Sequence, residues 1–503
     1  MTTDQADPLA ADRILGDAFA SRPRPVLIGQ EGAVAAAHPL AVAAGQDALF
    51  AGGSAIDAMI AAQAVLCVVA PDACGLGGDM LCLIRAPNGD MISVNGAGAT
   101  PAGLGEAAAT GGAAVTVPGI VDAWDRLAAA YGRIPLSRSL AFASRVARGG
   151  VPISPALMRS VSAQRTRLEE AGAREAPLLQ LGVGQRFVQN ELAMLLDRIG
   201  KEGRAAFYAG AATEAITKAA RRQGGALSPD DFALHRAVVG APITVPFRGA
   251  TLCVQPPMAQ GVLLAMAARA LESNGEIPAN RRDHAAIEAT EAAFAYRDRV
   301  GEGEALLEEP LTLDLDRAAG RGGPRAYLHT AGVSVADKRG LVVSSLVSVF
   351  DDFGSGVFVP ACGIFLNNRA AGFTAAPNDA QPRKRPVHTL APAMLTSPHG
   401  TLALSTPGAD GQIQTLLQII CALFYDRRDL AGAIDLPRWR SENGTLLVEC
   451  AHPLGAALSA LGHRVAPMAD GDMRAGAVTA AGYIGGTPIA CGDWRRLTWA
   501  GVA

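Results

Sequence analysis

The chain has 503 residues, half of them hydrophobic, and 44 Lys+Arg against 47 Asp+Glu give a formal charge of −3. That length supports a large core and, by itself, two or more domains. Near-neutral charge without a long basic run argues against a nucleic-acid surface or an anionic-membrane partner.

Residues 1–24 read as a surface-wrapping arm. The start, Met1-Thr2-Thr3-Asp4-Gln5-Ala6-Asp7, lacks the basic-then-apolar pattern of a signal peptide. Apolar spacing is helical from Pro39 to Phe50 and, after the Gly52-Gly53 break, from Ser54 to Val69, with Ser54 as N-cap. Residues 55–70 form the longest apolar stretch, but Asp57 interrupts it and Pro71 ends it, so it is too short to span a bilayer. A soluble, cytoplasmic protein is expected. Cys74-Gly75-Leu76-Gly77-Gly78-Asp79 is a tight glycine turn into a strand at Met80–Ile84. Pro87-Asn88-Gly89-Asp90 turns into a second strand at Met91–Asn95. Residues 118–200 read as helices separated by Gly and Pro. A polar helix follows around Asp283 to Arg299, with Glu288, Glu291 and Arg297 expected to face solvent.

A loose stretch, Ala318-Ala319-Gly320-Arg321-Gly322-Gly323-Pro324, then runs into two strand-like segments, Tyr327–Asp337 and Leu341–Phe350. Asp337-Lys338-Arg339-Gly340 reads as a type I turn closed by a left-handed glycine. In that register Asp337 faces Leu341 and Thr330 faces Ser348, with their side chains on one face about 5 Å apart. Further hairpin-like pairs follow at Gly354–Pro360 with Gly363–Asn368, and at Ala393–Thr396 with Thr401–Ser405. The loop Pro407-Gly408-Ala409-Asp410-Gly411 leads into a helix from Gln412 to Phe424. Strands cluster at both ends of the chain with helices between them, which favours an α+β sandwich over a parallel α/β fold. There is no internal repeat.

The eight cysteines (67, 74, 82, 253, 362, 421, 450 and 491) form no Cys-x-x-Cys pair and lie mostly in apolar runs, so buried free thiols are expected. The eight histidines are scattered without ligand spacing; neither a metal nor a cofactor is implied.

Two hydroxyls meeting at the end of a hairpin, after a loose linker, point to an N-terminal threonine nucleophile exposed by cleavage between His329 and Thr330. A threonine hydroxyl needs a base beside it, and its own freed α-amino group serves at neutral pH. Ser348 would orient or polarise the hydroxyl. Oxyanion donors would be backbone N–H groups of Gly408 and Ala409 at the entry to the following helix. Each feature alone has a plainer account. Thr330 could simply open a strand, and Asp410 could simply cap a helix.

Together these segments resemble the γ-glutamyltransferase family of N-terminal-nucleophile hydrolases, over nearly the whole chain. The resemblance rests on His38-Pro39-Leu40 with Gly52-Gly53-Ser54-Ala55-Ile56-Asp57-Ala58, on Gly75-Leu76-Gly77-Gly78-Asp79, and on Val117-Pro118-Gly119. It continues through Thr330-x-x-x-Ser334-Val335-x-Asp337, Phe353-Gly354-Ser355-Gly356, Leu366-Asn367-Asn368, Lys384-Arg385-Pro386 and Thr406-Pro407-Gly408. It implies a four-layer αββα sandwich, cut into a large chain (25–329) and a small chain (330–503) that form one folded unit, with Thr330 as nucleophile.

The family holds a glutamyl carboxylate with an arginine where Ala97 stands here, and the glutamyl amino group with residues matched by Phe350, Arg369 and Gly372. Its paired serines are His388 and Thr389, Ser348 replaces a threonine, and Ala409 replaces a glycine, which is tolerable only at negative φ. Losing so many partners of a buried zwitterion disfavours γ-glutamyl substrates. Pro256-Pro257-x-Ala259-Gln260-Gly261, Lys384-Arg385-Pro386-x-His388-Thr389-Leu390-x-Pro392 and Gly408-x-Asp410-Gly411-Gln412 are similar to the oxamate amidohydrolase group and related acylase-like proteins. The implied activity is hydrolysis of a small amide, with Arg369, His388, Thr389 and Asp410 as substrate-binding candidates and the two processed chains as each other's partners. A homodimer is compatible with this. The alternatives are a γ-glutamyltransferase or glutathione hydrolase, and a non-catalytic family member.

Overall fold

Two seven-stranded sheets carry the fold in a computed structural model, which describes residues 24–321 and 330–503. His329 and all but the last residue of the expected arm therefore lie outside the described residues. One sheet runs, edge to edge, Trp499–Val502, Gly32–Ala36, Ala331–Asp337, Val342–Ser348, Asp79–Arg85, Met91–Asn95 and Val238–Gly240. The other runs Leu27–Ile28, Thr487–Gly492, Thr479–Ile484, Gly400–Ser405, Ala393–Ser397, Ala250–Val254 and Ile243–Phe247. Neighbouring strands are antiparallel throughout both sheets.

The sheets face each other through small side chains: Ala33 and Ala35 meet Ala481 and Ala490, while Leu83, Ala336 and Val342 meet Cys253, Met394 and Ala403. Helices Pro39–Phe50, Ala55–Val69, Leu136–Gly149 and Asn190–Glu202 cover the outer face of the first sheet. Gly261–Ser273, Arg282–Phe294 and Gly411–Phe424 cover the second. The result is the expected α+β sandwich in four layers, αββα. Because both faces of each sheet are covered, central strands lose polar alternation; Ala331–Asp337 and Val342–Ser348 are buried at every position.

Local chemistry explains the starts and turns that place the site. Ser54 Oγ accepts the Asp57 N–H and Asp57 accepts the Ser54 N–H at 2.8 Å, a capping box that opens helix Ala55–Val69. The Asp337–Gly340 turn closes with Gly340 at φ 83°, and Asp337 accepts N–H groups from Arg339, Leu341 and Ala55. Ala331 pairs with Val347 and Ala336 with Val342, which is the expected register.

The glycine turn ahead of Asp79 is a close-approach feature. A Cβ on Gly78 would lie 2.3 Å from the Ser348 carbonyl oxygen, and one on Gly77 would lie 2.0 Å from that of Phe365. Asn367 completes the junction by donating to the carbonyls of Gly77 and Thr116 while accepting the N–H of Thr116.

One expectation fails. Glu288, Glu291 and Arg297 do not face solvent: Glu288 and Glu291 are buried, and Arg297 is largely covered. The helix of the two glutamates, Arg282–Phe294, is enclosed, Arg297 opens the 3-10 segment after it, and each polar head has a partner: Arg321 for Glu288, Ser441 for Glu291 and Asp410 for Arg297. All eight cysteines are free thiols and all but Cys450 are buried. No helix among the described residues is long and apolar enough to cross a membrane.

Gly78→Ala should lower stability by about 1–3 kcal/mol, because the backbone beneath Ser348 has nowhere to move. The check is the urea midpoint of the variant, and an unchanged midpoint would contradict the close packing of this turn.

Candidate active site

Thr330 directly precedes strand Ala331–Asp337 and is buried. Its Oγ1 lies 3.5 Å from the Oγ of Ser348, which also accepts the Phe350 N–H at 2.9 Å. Thr330 lines a cleft of about 630 Å³ together with Pro407, Asp72, Asp352, Arg159 and Arg496. The cleft wall thus carries charges of both signs, and the ring of Trp494 adds an aromatic surface. Burial, with the neighbouring carboxylates of Asp72 and Asp351, pushes the Asp352 carboxyl up to about 7.

On the other flank, Ser348 pairs in register with Asp79 on the next strand. Asp79 is fully buried and its Oδ2 accepts from Arg369 Nε at 2.9 Å and from His388 Nε2 at 3.2 Å. His388 Nδ1 accepts the Leu390 N–H, so the ring proton is on Nε2 and the ring is neutral. Burial and the Arg369 charge push His388 down to about 4, which agrees. Burial raises the Asp79 carboxyl, but the His388 hydrogen bond and the Arg369 charge outweigh it and hold it below the usual aspartate value. The Arg369 guanidinium stacks on the Phe350 ring at 4.5 Å, and its Nη1 and Nη2 have no partner among the described residues. Arg369 is therefore part of a buried ion pair, not a surface one.

The loop after strand Gly400–Ser405 brings Pro407 to the same cleft. Among the described residues, the N–H groups of Gly408 and Ala409 donate no hydrogen bond, whereas their carbonyls accept from Gly411 and Gln412. Ala409 has φ 48°, not the negative value expected of an alanine in place of a glycine. The left-handed basin costs an L-residue about 1–2 kcal/mol. The following residue, Asp410, is right-handed, at φ −64° and ψ −18°. Asp410 makes no side-chain cap; its carboxylate is held by Arg297 Nε at 3.1 Å.

Gln260 joins the remaining pieces. Its Nε2 donates to the carbonyls of Thr389, at 2.6 Å, and Ala409, at 2.9 Å. Of the described candidates, Thr330 is the one that lines the cleft; Ser348 touches Thr330, Arg369 and His388 meet on Asp79, Gln260 links Thr389 to Ala409, and Asp410 pairs with Arg297. Sequence reasoning missed Asp79 as a hub, although a charge opening an apolar strand was its signal. It also missed Arg159, Asp72, Asp352 and Arg496. The cluster Asp493-Trp494-Arg495-Arg496 stood out in an Ala/Gly-rich stretch, but nothing in the helix around Arg159 marked that residue. Among the described residues, the one group of His, Cys, Asp or Glu close enough to share a cation is His284, Glu288 and His463.

Comparison with known proteins follows the same lines. Residues 41–502 match the γ-glutamyltranspeptidase family model. The chain is 32% identical over 448 residues to the glutathione hydrolase-like YwrD proenzyme of Bacillus subtilis, covering 82% of this chain and 85% of that one. It is 31% identical over 498 residues to the oxamate amidohydrolase proenzyme of Klebsiella pneumoniae, covering 88% and 93%. The crystal structure of cephalosporin acylase from Bacillus halodurans superposes with a TM-score of 0.87 at 28% identity, covering 96% of this chain and 98% of that one.

Asp79→Asn should destabilise the protein by about 3–5 kcal/mol at neutral pH, since it leaves the buried Arg369 charge unbalanced. The depressed Asp79 contributes stability in full above about pH 4 and loses it as pH falls through its lowered folded value. Urea unfolding at pH 7 and pH 3 should therefore show a smaller acid loss in the variant; equal losses would refute this account of the pair.

Proposed function

From the membership of this chain in the γ-glutamyltranspeptidase family of N-terminal-nucleophile enzymes, we propose that it cuts itself before Thr330 and then hydrolyses a small amide through an acyl-threonine ester. The observation that carries this reading is the Thr330 hydroxyl set against Ser348 at the cleft, close to a helix-entry loop with undonated N–H groups.

In maturation, Thr330 Oγ1 attacks the His329 carbonyl carbon, the C–N bond breaks as a C–O ester forms, and the amide nitrogen takes a proton. Water hydrolyses the ester, leaving a carboxylate on His329 and a free amine on Thr330. In turnover that amine takes the hydroxyl proton, the oxygen attacks the substrate amide, and Gly408 and Ala409 N–H groups hold the oxyanion. The amine returns the proton to the leaving nitrogen, and water then releases the acid. Ser348 keeps the hydroxyl in line.

The acyl group in this reading is not γ-glutamyl. Ala97 is packed among Leu81, Ala259, Leu346 and Leu390, and the Arg385 Nε beside it is engaged by the Ala97 carbonyl at 2.7 Å. The likeness to an oxamate amidohydrolase and the two undonated Arg369 nitrogens support a small acyl group bearing a carboxylate, received by Arg369 with His388 beside it. Thr389 and Asp410 serve this site by fixing the oxyanion loop. The similarity to a glutathione hydrolase-like protein makes a γ-glutamyl substrate the second reading.

Purified wild-type protein should run as two chains and Thr330→Ala as one, inactive chain. A wild type that stays intact on long incubation would end the proposal. An α-amino base titrates near pH ~7.7–8.0, so kcat/KM should fall below that range as the amine is protonated. Ammonia release from oxamate and related small amides should exceed release from a γ-glutamyl anilide. Arg369→Gln should cut kcat/KM for a carboxylate-bearing amide about 10- to 100-fold, the equivalent of one charged hydrogen bond. Equal losses on an amide without the carboxylate would remove Arg369 from substrate recognition.

A further inference from the structure

His284 and Glu288 stand one turn apart on helix Arg282–Phe294, so their side chains leave the same face. His463, from the turn after helix Gly455–Ala460, meets them from the other side of Thr330 in sequence. All three are buried, and their donor atoms lie within 4.8 Å of one another. His284 Nε2 lies 2.8 Å from the Asp314 carbonyl oxygen, which can only accept, so Nε2 carries the ring proton and Nδ1 presents a lone pair. That lone pair points at His463 Nε2, 2.7 Å away. Glu288 accepts the Ala319 N–H at 3.0 Å and Arg321 Nη1 at 2.6 Å, which leaves lone pairs on both oxygens.

We propose that His284 Nδ1, His463 Nε2 and Glu288 form a binding site for a divalent transition metal, with zinc as the best-matched ion. Two imidazoles and a carboxylate are a recognised zinc donor set with a fourth position open to water. Magnesium and calcium prefer all-oxygen shells and suit it poorly. The Asp314 carbonyl behind His284 orients the ring and fixes its tautomer, as outer-shell acceptors do at metal-bound histidines. Two nitrogens on one tetrahedral zinc stand about 3.3 Å apart, so the rings would separate by roughly 0.6 Å from their present contact. The ion would join residues from both sides of Thr330 and hold, through Asp314, the segment leading to it. The site does not depend on whether the chain is cut. The competing account is an ordinary hydrogen bond from His463 Nε2–H to His284 Nδ1.

The experiment uses the full chain carrying Cys450→Ser, which removes the exposed thiol as a stray zinc ligand. After chelator treatment, zinc chloride should bind at about one equivalent and raise Tm, while magnesium chloride should not. Cobalt chloride should give the visible absorption of a four-coordinate nitrogen–oxygen site. His463→Gln keeps an N–H for His284 but ligates poorly, so it should retain the zinc-free Tm and lose about 100-fold or more in zinc affinity. Failure of the parent protein to bind zinc, or equal zinc binding by His463→Gln, would overturn the proposal and leave the hydrogen bond.

Discussion

The register of one hairpin constrains everything else in this molecule. Once Ala331 is set against Val347, Thr330 must face Ser348, and the next strand must bring Asp79 alongside Ser348. A slip of one residue would turn each side chain to the opposite layer. Such a slip is opposed from both ends. Asp337 closes the turn with three backbone N–H groups, and Gly77 and Gly78 admit the far end of the strand at distances no other side chain would allow. The position of Thr330 is thus a property of the sheet rather than of a loop.

Around this fixed column, buried charged side chains are paired with one another, Arg369 with Asp79 and Arg297 with Asp410. Arg369, Asp79 and His388 make a compact polar group, and Ala97 packs against apolar side chains while its carbonyl accepts from Arg385 Nε at 2.7 Å. One amide, Gln260, grips the carbonyls of Thr389 and Ala409 and so ties the segment after His388 to the loop that enters helix Gly411–Phe424.

Much of this was legible in the sequence wherever a short-range rule decides. The Ser54 cap, the hairpin register, the glycine turn and the helix from residue 411 all follow from local pattern, and the four layers follow from resemblance. What was not legible depends on partners distant in the chain. Glu288, Glu291 and Arg297 read as solvent-facing because polarity alone cannot reveal Arg321, Ser441 and Asp410 waiting inside. Arg369 meets Asp79 across 290 positions of sequence, and the meeting of His284 with His463 spans 179. Ala409 defeats a residue-based rule of thumb, since it takes a left-handed backbone where a negative φ was expected.

Strands from before and after Thr330 share both sheets, so the two portions are joined within each sheet rather than laid side by side. A break ahead of Thr330 would leave that pairing, and the shape it maintains, undisturbed. Its effect would emerge only on melting: two separate polypeptides would have to meet again before either sheet could close. Folding would have become a bimolecular, dilution-sensitive event, and the fold would persist through slow unravelling rather than through ready return.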